Sequence, residues 1–327
     1  MITRNTTVFF ILILITAVKL EISWYQYAYL DPRTDSSTVV VGDELFVFGG
    51  KGVGYFNDLW KLDLNYYYWY QSFSVQSSPP RRSGAAITQS KNQFIYIFGG
   101  YDGTSYFNDM WMYKIDAEMW IQIPYLSVAP SVRTQAAMAI DDDSGIIYLF
   151  GGRDLESNNE LWTFNTITNV WKLLSKQQVN QPSARYAHTM SLENGLIYLH
   201  GGVEFEGRLF LHLGSNQWFY SIADEEWLYI DINQKLGFTD TSTVINNVAY
   251  ETVFDKDNDI LNITSVNLNN PDTRRTLYSD YYPFKVVGSY QVVSHKDTII
   301  FFGGSGNYGK TFVSTFGCRS VDHLPSI

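Results

Sequence analysis

Cysteine is almost missing from this chain: Cys318 stands alone among 327 residues. One thiol excludes an internal disulfide framework, so the fold must be held by its core, and Cys318 reads as a buried free thiol rather than a nucleophile. Positive charge is also scarce. With 23 Lys and Arg against 33 Asp and Glu, the net charge is −10 and the pI about 4.9. That argues against a nucleic-acid partner, because binding phosphates needs a basic face. No stretch keeps a 3.6-residue apolar period. The five histidines, at 188, 200, 212, 295 and 323, lack metal-ligand spacing. No Ser-His-Asp set, phosphate loop or zinc pattern is apparent. No catalytic residue, metal or cofactor is therefore expected.

Long hydrophobic runs are missing too. The longest, Thr7 to Val18 behind Arg4, falls short of the roughly 20 residues that span a bilayer and suits the core of a secretory signal. Residues 1–20 are read as a signal peptide, the alternative being an uncleaved anchor that would hold the chain at a membrane. Asn262-Ile263-Thr264 is then an N-glycosylation sequon, usable only on the secretory route.

What the chain has in excess is aromatic side chains, 17% of all residues, in short β-rich runs punctuated by Gly, Asn and Asp. They recur. Glycine pairs end apolar runs at Gly49-Gly50, Gly99-Gly100, Gly151-Gly152, Gly201-Gly202 and Gly303-Gly304. Their first members are 50, 52 and 50 residues apart, and then 102, a doubled interval that hides one repeat. Tryptophans keep the same phase in pairs nine apart: Trp60 and Trp69, Trp111 and Trp120, Trp162 and Trp171, Trp218 and Trp227. A third mark is Pro-x-x-Arg, ending at Arg82, Arg133 and Arg185.

A period near 50 with four short strands is one propeller blade, which exposes both faces of its sheet and needs neighbours on each side. The doublet followed by a tryptophan about twenty residues on, as in Gly100 to Trp120 and Gly152 to Trp171, resembles the kelch repeat. The resemblance implies an all-β, six-bladed kelch-type β-propeller over residues 22–318. Its blades fall at about 33–72, 82–123, 133–174, 185–230, 238–278 and 285–318, with a tail at 319–327. The fourth repeat carries an insertion around Val203 to Ser215, and the fifth lacks glycines. Trp24-Tyr25-Gln26 repeats Trp69-Tyr70-Gln71 without a repeat before it, so residues 22–28 are expected to close the last blade.

Kelch propellers meet ligands at the channel mouth, through loops between blades and after the doublets. Carried onto this sequence, that implies a tentative site of Arg82, Arg133 and Arg185 as an anion-binding half ring. Asp35 takes the matching place in blade one, and the doublet loops add Arg153, Tyr55, Tyr101 and Tyr106. The competing reading makes the arginines struts between backbone and acids. The function expected is a secreted or surface-displayed binding module for a protein, an acidic peptide or a glycan. The alternative is a carbohydrate-active enzyme of the galactose-oxidase or sialic-acid-mutarotase kind.

Overall fold

The computed structural model describes residues 22–25, 30–74, 77–91, 93–175, 180–206, 209–213, 216–231, 240–255, 258, 260–281, 290–303 and 312–317. The expected leader at 1–20, Cys318 and the tail at 319–327 lie outside these. No helix occurs among the described residues.

The strands run in chain order. A short β1 (Ile22–Tyr25) comes first. Blade one holds β2 (Ser37–Val41), β3 (Glu44–Phe48), β4 (Leu59–Asp63) and β5 (Trp69–Ser72). Blade two holds β6 (Ala86–Ser90), β7 (Phe94–Phe98), β8 (Met110–Lys114) and β9 (Met119–Ile123). Blade three holds β10 (Ala137–Asp141), β11 (Ile146–Phe150), β12 (Leu161–Asn165) and β13 (Val170–Ser175). In blade four, β14 (Thr189–Glu193) and β15 (Leu196–His200) are followed by a separate hairpin of β16 (Val203–Glu206) and β17 (Leu209–His212). Then come β18 (Asn216–Ser221) and β19 (Glu226–Asp231). The insertion expected at 203–215 is this hairpin. Blade five has longer strands, β20 (Asp240–Ile245), β21 (Val248–Asp255), β22 (Ile260–Asn267) and β23 (Asn270–Tyr281). Here lies the repeat that the doubled interval hid.

These five antiparallel sheets are each cut from one continuous stretch of chain. One more four-stranded sheet draws on distant segments, in the order β1-β26-β25-β24, with β24 (Tyr290–His295), β25 (Thr298–Gly303) and β26 (Phe312–Gly317). In it Ile22 pairs with Phe316 and Tyr25 with Val313. The innermost strands touch in sequence, β2 to β6, β10, β14, β20 and β24, and β24 touches β2. The architecture is a β-propeller.

Its core lies between the sheets, which explains why the strands are apolar on both faces. The tryptophan of each fourth strand packs on the phenylalanine that ends the second strand of the preceding sheet. Trp120 lies 5.1 Å from Phe48, Trp171 5.1 Å from Phe98, and Trp227 5.3 Å from Phe150. Trp69 sits 5.9 Å from Phe302 of the sheet that joins β1 to β26. The exception falls between blades four and five. His200 occupies the phenylalanine position, blade five has no tryptophan, and the junction is polar: Tyr198 Oη donates to Glu251 Oε1 at 2.7 Å and Gln217 Nε2 donates to the same oxygen. Glu251 and His200 are both fully buried.

Candidate functional site

The second-to-third-strand loops and the connectors between blades lie at one end of the channel, because each second strand runs up to its glycine doublet and each fourth strand runs the same way. This doublet face is built the same way four times. The residue after the doublet pairs with the residue that follows the lead arginine, in the bridges Thr34 to Lys51, Ser83 to Tyr101, Thr134 to Arg153 and Tyr186 to Val203. One residue further on, Asp35, Gly84, Gln135 and Ala187 all take positive φ, between 52° and 63°. Gly84 donates from its amide to the Asp35 carbonyl, Gln135 to that of Gly84, and Ala187 to that of Gln135. A hydrogen-bonded arc thus runs round the mouth through blades one to four. Across it, Gln135 Nε2 donates to Asp35 Oδ1 at 3.1 Å, over blade two. Gly84 is obligatory beneath this strut: a Cβ there would lie 2.3 Å from Thr134 Oγ1 and 3.0 Å from Gln135 Cγ.

The three expected anion-binding arginines do not line the mouth as an open half ring. Arg82, Arg133 and Arg185 are 0–1% exposed. Each donates from Nε to the carbonyl two residues back and from Nη1 to the carbonyl of the first doublet glycine, Gly99, Gly151 or Gly201. Arg82 also grips Asp109 through both oxygens, at 2.5 and 2.8 Å, and Arg133 reaches Glu160 at 3.0 Å. A guanidinium has five donors in a rigid fork, which is what turning the chain at the doublet and the third strand together requires. This is the geometry that the struts reading describes.

Blade one corrects the sequence reading further. Its strut is Arg33, 1% exposed, bonded to the Gly49 carbonyl and to both oxygens of Asp58. Asp35 sits two residues on, in the arc. The signal was present as Pro32-Arg33 sixteen residues before Gly49, matching the sixteen from Arg185 to Gly201, but the proline spacing differs and hid it. The acid partners have a signal of their own, an Asp or Glu two residues before the third-strand tryptophan: Asp58, Asp109 and Glu160. Their second oxygen also accepts the indole N–H of Trp60, Trp111 and Trp162. Burial alone would raise the Glu160 carboxyl, yet the hydrogen bonds from Trp162 and Arg133 hold it below its usual range.

The remaining candidates do meet on the doublet face. Tyr101 and Tyr106 stack at 4.5 Å, Tyr55 meets Tyr101 edge-on at 6.0 Å, and Lys51 lies 5.7 Å over the Tyr55 ring. Tyr55 packs on Gly103, where a Cβ would approach it to 2.7 Å. At blade three Arg153 lies 4.4 Å over Tyr186, with its Nε buried and without a hydrogen-bond partner. Val53 and Leu155, at the tips of the flanking doublet loops, are exposed, and so are Phe73, Leu126 and Val128 in the connectors. Asn262 is elsewhere, half-buried in β22 between Val253 and Ser279, with Thr264 buried, rather than in a surface loop. Among the described residues no three His, Cys, Asp or Glu side chains gather as metal ligands.

Comparison with known proteins agrees with this geometry. The model of the KLHDC2/KLHL20/DRC7 Kelch-repeats domain matches residues 24–202. The leucine-zipper-like transcriptional regulator 1 homolog of Drosophila melanogaster is 31% identical over 189 residues, 52% of this chain and 19% of that protein. Tip elongation aberrant protein 1 of Schizosaccharomyces pombe is 35% identical over 174 residues, 51% of this chain and 15% of that protein. Kelch domain-containing protein 10 of Rattus norvegicus is 25% identical over 222 residues, 63% of this chain and 52% of that protein. The matches thus span from under a fifth to about half of these relatives. Doublets, paired tryptophans, arginine struts and matched family model lead to one conclusion: this chain belongs to the kelch-repeat family.

Proposed function

We propose that the chain is a protein-binding module that seats its partner on the doublet face over blades one to three. The observation that carries this is the aromatic ladder of Tyr55, Tyr101 and Tyr106, flanked by exposed Val53 and Leu155. Rigid aromatics with few rotamers to lose, set on bridged loops and rimmed by single cations, have the make-up of interface hot spots. Kelch propellers generally bind proteins, which supports the same reading. Lys51 and Arg153 stand at this face beside Asp102, Asp154 and Glu156, so it offers a partner both signs of charge around the aromatic ladder.

The test is selection of a displayed peptide library on the immobilised chain, repeated on Y101A/Y106A. Peptides enriched on the wild type should lose at least tenfold in affinity on the double variant while its thermal midpoint holds. Enrichment that survives the double change would move the binding surface elsewhere.

We infer two further properties of the chain. The ring counts six blades, with β1 as the outermost strand of the last; the return contact of β24 on β2 and the Trp69–Phe302 pair support this. The chain enters the secretory route through its apolar segment at 7–18; release of a tagged chain into the medium of expressing cells tests that.

A further inference from the structure

Blade four breaks the strut pattern at one atom. In blades one to three a single carboxylate oxygen accepts two hydrogen bonds, one from the lead arginine's Nη2 and one from the third-strand indole. For Asp58 Oδ2 these are 3.0 Å from Arg33 and 2.7 Å from Trp60; for Asp109 Oδ2, 2.8 Å from Arg82 and 2.6 Å from Trp111; for Glu160 Oε2, 3.0 Å from Arg133 and 2.9 Å from Trp162. The corresponding residue in blade four, two before Trp218 and first in β18, is Asn216. Both donors are still there. Trp218 Nε1 is buried with no hydrogen-bond partner. Arg185 is 1% exposed and, among the described residues, has no carboxylate within ion-pair distance.

The Nη2 of Arg185 does reach Ser183 Oγ at 3.2 Å, but this does not replace the acid. Arg133 makes the same bond to Ser131, at 3.0 Å, while also holding Glu160. Among the described residues, the surroundings add no second negative charge in contact. Glu204 acts on Arg185 only from beyond ion-pair range, Tyr229 lies 4.8 Å from the Trp218 ring, and the neighbouring His188 is buried and carries no negative charge. Burial pushes the Arg185 guanidinium down to about 10, with Glu204 opposing. A buried cation without a counter-charge is costly to keep.

We propose that blade four holds a site for a small monovalent anion of carboxylate type, bound between the Arg185 guanidinium and the Trp218 indole N–H, where the other blades supply their own acid. In blades one to three the same two donors converge on one acceptor position. Free formate or acetate suits the site directly, and the acidic side chain of a partner offers the same group.

The test is thermal unfolding of the full chain in sodium acetate, exchanged against sodium gluconate at constant ionic strength. For the wild type, 100 mM acetate should raise the midpoint by about 2–4 °C. N216D, which restores the acid, should begin higher and lose the response; W218F, which removes one donor, should need several-fold more acetate for the same rise. A peptide arm, acetyl-Gly-Glu-Gly-amide in place of acetate, separates the sources: a response to acetate alone assigns the site to free anions, and a response to both admits a partner's side chain. No acetate response in the wild type overturns the proposal. So does an equal response in the wild type and W218F, which also decides the matter if N216D fails to fold.

Discussion

Arg82 and Asp109 meet through two parallel hydrogen bonds, Nη1 to Oδ1 at 2.5 Å and Nη2 to Oδ2 at 2.8 Å, while the same guanidinium lies 4.2 Å over the Phe107 ring. The arginine is fully buried and the aspartate partly so. Removing one member of such a pair strands the other. D109A should therefore lower the unfolding free energy by about 3–5 kcal/mol, read from urea melts. D109E, which has the residue type of blade three, should recover most of the loss.

His188 ties stability to pH. It occupies the place of Ser36, Ala85 and Ala136, packs edge-on against Phe150 at 5.5 Å, and is 6% exposed. Burial, then the charge of Arg185, pushes its imidazole down to about 3. The unfolded chain takes up that proton near pH 6.5 and the folded chain does not. Stability is thus intact above about pH 6.5 and falls below it by about 1.4 kcal/mol per pH unit for this one proton, until pH approaches 3. H188A should flatten the fall; denaturant midpoints between pH 4 and 7 measure it, and an unchanged slope would exclude His188 as its source.

The wedge between sheets gives a third expectation. F48A removes the ring against which Trp120 packs at 5.1 Å. A cost of about 3–5 kcal/mol is expected, seen as a lower urea midpoint. H200F should not mirror this by stabilising the fourth junction, because it replaces an imidazole beside the buried Glu251 with a ring that cannot donate. It should lower the midpoint by about 1–3 kcal/mol.

How much of this the sequence disclosed depended on whether a feature was periodic. The doublets and tryptophan pairs repeat in phase, and from them the β-propeller, an insertion around 203–215 and the hidden repeat before Gly303 were all legible, though not that the insertion is a hairpin. The arginines repeat as well, but periodicity reports only that a position matters. Whether Arg133 faces solvent or clamps the Gly151 carbonyl depends on where the acid at Glu160 falls in space, 27 residues away. Arg33 escaped because its proline is adjacent rather than three residues back. The Gln135–Asp35 strut could not be read at all, since it joins side chains 100 residues apart that share no motif.

Removal of β1 tests the closure. Its register with β26, Ile22 on Phe316 through Tyr25 on Val313, leaves β26 as a bare edge when the chain starts at residue 30. Bare edges recruit other chains. The shortened protein should associate at concentrations where the full chain does not, as light scattering would report. A truncated chain that stays monomeric with an unchanged midpoint would remove β1 from the ring.

The arc and its strut also bridge the mouth of the channel. A cavity of about 870 Å³ runs along the inner strands, lined by Thr38, Thr88, Met138, Thr189, Thr243 and Val292 among others. At the doublet end it is crossed by a side-chain hydrogen bond that rests on a hydrogen-bonded belt of peptide groups. The mouth is thus bridged on its blade-one-to-three side, and a partner on the tyrosine ladder would stand beside a fixed span that its binding does not need to move.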